Sequence, residues 1–484
     1  MSASLFTEPH ILSRFYAYKN AVKKPSFWSP KSGLKSFEDI TGDVERVRSL
    51  LAELKIGKSE PCLLLFHFSY EFLVLLFALL AEGSVPVLID PRLSRLKWRK
   101  LAKTANVKYI FISEKTKLAR LFFFASPGIT FFNTDKLFSK KPISKPLAKL
   151  SLEDPVLLSF TSGTTGDSKI VSRSLGVLGS QQTLFCKYLS NLNEESHLAM
   201  HGIGVIQSLI QGSPTFFLPA ENLTSESLYT TITTHSVSTL STTPGALNEL
   251  LLYLENSKLK IQSLKYLVTG GAPIPKWLVT KSIEKCPNAL FINVYASTES
   301  EPISLIGFTN SENTDLKFTA LPLKSYPDSL GYPVGKIIEE LEYDRKNISK
   351  AYGKQFFELT VRGQNCVSNS PSGFVTGDIL YQENGLFFYC GRNKEQLGIY
   401  PSGLAEDYLE RIPAIKRAAT KLTKAKLKVY LELHPNQTVT VSEKEEIIGK
   451  LKELLDHAGK IEIIKLPKIP VDPRHLWKIQ KKKL

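Results

Sequence analysis

Between residues 235 and 295 the chain alternates short β-prone runs with helical stretches, and this alternation limits the fold more than any other feature. HSVSTLSTTP reads as a strand and a turn, Pro244 stands where a first helical residue belongs, and ALNELLLYLEN carries leucines at helical spacing. LKYLVT is the next strand, followed by the loop GGAPIP, a helix to about Cys286 and the strand ALFINVY. Strands separated by helices pair in parallel, so the chain is predicted to be α/β with helix-covered sheets. The same parse resolves residues 62–81, twenty mostly apolar residues long enough to cross a membrane. His67 and Glu71 argue for a strand CLLLFHF, a cap at Ser69, a helix EFLVLLFALLAE ending at Gly83, and a strand VPVLID.

From about Phe308 the runs shorten and Gly, Pro, Asn and Ser separate them, as in a barrel or an antiparallel sheet. Around Gly391 the texture returns to α/β, with the strand KVYLEL and a helix predicted to be capped by Ser442 with Glu445 three residues on. That helix would bury Ile447, Ile448, Leu451, Leu454 and Leu455 and stop near Gly459.

Length and charge then bound the function. A chain of 484 residues suggests about three domain-sized units, or two if one is a large α/β body. The net charge of +16 favours anionic partners, but the basic residues are scattered, and neither zinc-finger spacing nor an aromatic RNA-binding motif is present, which argues against nucleic acid. Lys481–Lys483 form a basic end that would either meet anionic lipid or the phosphates of coenzyme A, or be a solvated terminus. Five widely spaced cysteines without a C-x-x-C pair, and no secretory signal, point to the cytoplasm.

TSGTTGDSK, residues 161–169, follows the apolar run PVLLSF and gathers glycines, hydroxyls and a lysine, the materials of a phosphate-binding loop. Ser168 stands where an ATPase phosphate loop needs glycine, so that pattern is excluded. Further motifs follow in order. TGGAP, residues 269–273, offers small-residue backbone for a planar base; YASTESEPIS joins an aromatic ring, hydroxyls and Glu299; TGD, placed just before a β-hairpin, supplies Asp378. GRNKE adds Arg392 and Lys394, and PVDPRHLWKI ends on Lys478 and its neighbour. Each alone reads equally well as a turn or a strand end; the order gives them weight.

Together these motifs resemble the adenylate-forming ligases, which include acyl-CoA synthetases, firefly luciferase and peptide-synthetase adenylation domains. The resemblance runs from about Leu63 to Lys478. It implies that Thr161, Ser162, Gly163, Thr164, Thr165, Gly166 and Lys169 hold the β and γ phosphates of ATP, and that Gly270, Gly271, Ala272 and Tyr295 surround adenine. Thr298 would contact the α-phosphate, Glu299 would hold Mg²⁺, Asp378 and Arg392 would grip the ribose, Lys394 would be the hinge and Lys478 the catalytic lysine. The implied fold is an N-terminal body, residues 1–390, of two helix-flanked sheets and a distorted β-barrel. A hinge at 391–394 would join it to a small mobile α/β domain, residues 395–484. The implied reaction charges a carboxylic acid, of fatty character, with AMP and passes the acyl group to a thiol, coenzyme A or an acyl carrier protein.

The chain departs from that pattern in two places. Ala296 replaces a usual glycine, and QLGIYPSGLAEDYLE is several residues short in the hairpin that lines the thioester-forming site, with Gly398 near the place of a lysine. PVDPRH and YASTESEPIS are most similar to bacterial β-lactone synthetases of olefin biosynthesis, in which the hydroxyl of a 3-hydroxy acyl-adenylate closes a ring without coenzyme A. A phosphotransferase or ATPase, and a nucleotide-binding protein without turnover, are further alternatives. His201 is expected as a core histidine, with a place in the acyl pocket as the alternative.

Overall fold

A computed structural model describes residues 6–90, 93–116, 118, 128–162, 168–189, 195–219, 222–310, 316–367, 372–423, 426–456, 459–472 and 477–484. The chain packs as two compact units, one of Met1–Ser227, Thr298–Ser300 and Gln364–Val367, the other of Leu228–Ser297, Glu301–Gly363 and Ser368–Leu484.

The first unit holds a six-stranded sheet in the order Thr130–Asn133, Tyr109–Ile112, Pro61–Leu65, Val85–Leu88, Pro155–Ser162, Ser168–Ser174. All pairs are parallel except the last. The strand Pro61–Leu65 is interior and apolar on both faces. Cys62 and Leu64 enter one hydrophobic cluster, while Leu63 and Leu65 enter another on the opposite side, as the two-residue period of a strand requires. Ser69 caps the helix Tyr70–Ala81 by accepting the Phe72 N–H at 3.3 Å, and Gly83 ends it in the left-handed conformation at φ +70°. Eleven of its twelve residues are buried in protein, so residues 62–81 form a strand and a core helix, as predicted. No described helix is long and apolar enough to cross a membrane.

In the second unit the strands Thr239–Ser241, Tyr266–Gly270 and Leu290–Ser297 pair in parallel. The helices Pro244–Asn256 and Lys276–Lys285 connect them in sequence. Thr243 accepts the Ala246 N–H at 3.1 Å, and Pro244 occupies the first turn, where a missing N–H costs nothing. Leu247, Leu250, Leu251 and Leu254 form its buried side. An antiparallel ladder of Glu342–Ala351, Lys354–Arg362, Phe374–Glu383, Leu386–Arg392 and Tyr332–Ile337 follows.

Residues after Arg392 build a smaller α/β arrangement around their own core. The sheet Ile415–Thr423, Lys426–Leu433, Lys460–Lys465 packs with the helices Ser402–Glu410 and Val441–Leu455 around Leu409, Val429, Leu431 and Leu451. The last helix begins two residues earlier than its sequence suggests. Thr440 accepts the Glu443 N–H at 3.2 Å while the Glu443 carboxylate accepts the Thr440 N–H at 2.7 Å, so the capping box is Thr440 and Glu443, and Ser442 lies inside the helix. The helix also ends earlier, at Leu455, where Asp456 takes the left-handed conformation predicted for Gly459.

Candidate active site

Two adjacent parallel strands of the second unit, Tyr266–Gly270 and Leu290–Ser297, end at the motifs that the sequence marks for the base. Gly270 closes one of them. A Cβ there would stand 2.3 Å from the Val294 carbonyl oxygen, so only glycine lets the neighbouring strands approach so closely. Gly271 turns the chain outward at φ +81°, and Ala272 and Pro273 follow, partly exposed. Thr269 Oγ1 and Ser297 Oγ, on these adjacent strands, are buried with no hydrogen-bond partner among the described residues. An unsatisfied buried hydroxyl costs about 1–3 kcal/mol, and the carboxyl ends of parallel strands are where such a cost is commonly offset by a ligand.

Asp378 reaches the same region from the antiparallel hairpin. Leu380 faces Tyr389, but the next two residues of the first strand oppose three of the second, which brings Asp378 opposite Arg392. Gly391 absorbs the bulge at φ +116°. TGD therefore lies within the strand Phe374–Glu383, not ahead of the hairpin as its sequence suggests, because the turn falls later, at Asn384 and Gly385. Thr376 fixes the local geometry, donating to the Leu359 carbonyl at 2.8 Å and accepting the Asp378 N–H at 3.1 Å.

The Asp378 side chain is 6 % exposed. The Tyr295 hydroxyl donates to its Oδ2 at 2.7 Å, and Arg392 Nε stands 3.0 Å from Oδ1 as an ion pair without hydrogen-bond geometry. Burial pushes the Asp378 carboxyl above its ordinary value, and the charges of Arg392 and Lys478, with the Tyr295 hydrogen bond, only partly counter it. Burial and the neighbouring Asp378 charge raise the Tyr295 phenol well above its usual range, so it stays a donor. Arg392 is raised too, chiefly by Asp378. The Tyr295 ring itself is partly exposed, with Tyr389 at 6.5 Å.

Lys478 belongs to this group. Its segment folds back on residues 470–472, with the Asp472 N–H donating to the Lys478 carbonyl and the Gln480 N–H to the Pro470 carbonyl, both at 2.8 Å. The side chain is exposed and its charge acts on Asp378. Thus the second unit brings Gly270, Gly271, Ala272, Tyr295, Asp378, Arg392 and Lys478 into one fold.

Of the other predicted residues, all but Lys394 belong to the first unit. Strands Pro155–Ser162 and Ser168–Ser174 pair antiparallel with Thr161 opposite Lys169 and Ser162 opposite Ser168, so the two ends of the TSGTTGDSK motif lie side by side. Gly163, Thr164, Thr165 and Gly166 lie outside the described residues, and Lys169 is exposed. Thr298 and Glu299 are partly buried; the Glu299 carbonyl accepts the Val367 N–H at 2.8 Å, whereas its carboxylate makes no hydrogen bond or ion pair among the described residues. Such a carboxylate fits Mg²⁺, which takes one or two protein oxygens and fills its remaining positions with phosphates and water.

After Arg392 a short 3₁₀ turn, Asn393–Glu395, exposes Lys394. The following hairpin has two-residue strands, Gln396–Leu397 and Tyr400–Pro401, joined by Gly398 and Ile399. His201 corrects its expectation. It is exposed at the N-cap of the helix Gly202–Ile210, because the preceding strand, His197–Ala199, ends before it. Of the basic end, Lys481 is turned inward, 2.6 Å from Glu406 and 3.1 Å from Glu395, and so is not available to lipid. Sequence reasoning missed the inward setting of Lys481 and passed over Trp277 and Trp477; tryptophan, at four in 484 residues, was the available signal for the last two.

Residues 17–365 match the family model described as AMP-binding enzyme. The mitochondrial medium-chain acyl-CoA ligase of Mus musculus is 25 % identical over 359 residues, covering 66 % of this chain and 54 % of that protein, so this chain spans about half of that relative. The D-alanine–D-alanyl carrier protein ligase of Streptococcus equi is 22 % identical over 378 residues, covering 74 % and 73 %. Among solved structures, the O-succinylbenzoate coenzyme A synthetase of Bacillus subtilis in complex with AMP superposes with a TM-score of 0.77 at 18 % identity, over 99 % of this chain and 98 % of that one.

Proposed function

Since the chain belongs to the AMP-binding enzymes, we propose that it activates a fatty carboxylic acid with ATP to an acyl-adenylate and passes the acyl group to coenzyme A. The observation that carries this reading is the buried Asp378 held by Tyr295 and Arg392 with the Lys478 charge beside it. Two oxygens of one carboxylate can accept from two ribose hydroxyls, and Oδ1 has no hydrogen-bond donor of its own. The orphaned hydroxyls of Thr269 and Ser297 supply further partners for a nucleotide.

The chemistry follows from the poor leaving ability of a carboxylate oxygen. A carboxylate oxygen attacks the α-phosphorus, the bond from that phosphorus to the bridging oxygen breaks, and pyrophosphate leaves with the electron pair. Lys478 places a positive charge against the oxygens that gain charge in this step, with Thr298 beside the same phosphate. Lys169, and Thr161, Ser162, Gly163, Thr164, Thr165 and Gly166, would hold the leaving pyrophosphate portion. Mg²⁺ bound through Glu299 would neutralise phosphate charge. A swing of residues 395–484 about Lys394 would then withdraw Lys478 and admit the thiol. The cytoplasm is the proposed setting, supported by five cysteines without a disulfide.

A second reading rests on the hairpin Gln396–Pro401, whose strands are two residues each. Little chain is left there to line a channel for a long thiol substrate, which favours closure of a 3-hydroxy acyl-adenylate on its own hydroxyl. Mass spectrometry of products from ATP and Mg²⁺ with fatty acids, 3-hydroxy fatty acids and D-alanine, each with and without coenzyme A, separates the readings. The first expects AMP, pyrophosphate and an acyl thioester that needs coenzyme A. A β-lactone formed without it selects the second, and ADP as product rejects both.

A further inference from the structure

Lys478 is exposed on the back-folded tail, and the residues beside it show where that tail meets the rest of the second unit. The preceding residue is only 5 % exposed. Trp477 donates its indole N–H to the Pro273 carbonyl at 3.1 Å, and Pro273 closes the loop begun by Gly270 and Gly271. Trp277, the second residue of the next helix, lies 5.8 Å from the Trp477 ring and meets the His434 ring edge-on at 4.7 Å. The Arg417 guanidinium stands 4.6 Å over Trp477 and pairs with buried Glu432 at 2.9 Å. Arg417 and His434 come from the small sheet and its edge, whereas Pro273 and Trp277 come from the parallel strands, so this one indole is wedged between the two. On the other side of Lys478, Lys481 is tied to Ser402 at 2.8 Å as well as to Glu395 and Glu406.

We propose that Trp477 is a positioning residue for adenylate formation: its indole clamps the tail to the Pro273 carbonyl and thereby holds Lys478 at the nucleotide site. The inference rests on the ligase reading above for its chemistry but not for its geometry. A tail anchored only through Lys481 would keep its place within the small arrangement yet lose its register against the nucleotide loop. Release of the indole would accompany the swing that admits the second substrate.

The test measures ATP–pyrophosphate exchange with the acid that is most active in the product survey, for wild type, Trp477→Ala, Trp477→Phe and Lys478→Ala. Trp477→Ala should lower the exchange kcat by about a hundredfold, as expected when a catalytic group is displaced by about 1 Å, with the KM for ATP changed less than about twofold. Trp477→Phe keeps ring packing without the N–H and should fall between. Amide hydrogen exchange on the same proteins should show faster exchange at Gln480 in Trp477→Ala, while Val429 and Leu451 of the small core stay protected. Exchange kcat at the wild-type level, or loss of core protection in step with activity, would overturn the proposal. A wild-type protein inactive with every acid would reject the ligase reading, and the clamp would then be judged on the hydrogen exchange of Gln480 alone.

Discussion

The second unit buries carboxylates in several places, and two of these are resolved in opposite ways. On the helix Ser402–Glu410, Glu406 accepts from the N–H and hydroxyl of Thr420, both at 2.9 Å, and pairs with Lys481. Glu410 accepts from the Ala418 N–H at 3.1 Å and meets the Tyr332 hydroxyl at 2.8 Å. These two acids are satisfied by the protein itself. Asp378, equally buried, leaves Oδ1 without a hydrogen-bond donor and relies on an Arg392 that is 28 % exposed and a Lys478 in solvent. Burial of charge by itself does not mark a site; how far the protein's own groups satisfy that charge has to be read beside it.

This contrast can be broken by substitution. The largest effect is expected at Lys481. Lys481→Met leaves Glu406 buried without its cation, and removing one partner of a buried pair costs about 3–5 kcal/mol. Chemical denaturation should show that loss, and a change below about 1 kcal/mol would mean that Glu406 is not structural in this sense.

Asp378→Asn should act differently. The amide carries a smaller desolvation penalty than an ionised carboxylate, so stability should stay within about 1 kcal/mol of wild type or rise. The KM for ATP should rise about ten- to a hundredfold, the value of one charge-assisted hydrogen bond. A variant that unfolds readily while binding ATP normally would place Asp378 with the structural acids.

The smallest effect is expected from Glu410→Gln, and only as a slope. Burial pushes the Glu410 carboxyl up to about 8, with Glu406 and Asp407 adding to the rise and the Ala418 and Tyr332 hydrogen bonds opposing it. The ordinary value in the unfolded chain is 4.5, so the native state holds a proton that the unfolded state releases. The stability contributed by this group is whole below about pH 4.5 and is lost as pH rises through about 8. Melting temperature measured across that window should fall less steeply in Glu410→Gln than in wild type, by about 2–4 °C. Parallel slopes would show that Glu410 is ionised throughout.

Much of the fold could be read from local pattern because local physics decided it. The Ser69 cap, Pro244 in the first turn and Gly83 past the helix end each satisfy or avoid a backbone group within a few residues of themselves. Where two local solutions compete, as with Thr440 and Glu443 against Ser442 and Glu445, sequence spacing alone could not choose. His201 was misjudged for a related reason, since its exposure depends on where the strand before it stops.

The sequence by itself determined the alternation of strands and helices, the polar loops that end the strands, and the residue types available for handling an anionic nucleotide. Tertiary structure decided which of those residues meet. Asp378 faces Arg392 only because a bulge at Gly391 adds one residue to one strand, a shift that side-chain pattern does not record. The Trp477 indole reaches the Pro273 carbonyl from 204 residues away, a contact that no local pattern along the chain announces. Contacts between distant segments are set by packing and by the closing of unmet hydrogen bonds, and neither is written in the spacing of residues along the chain.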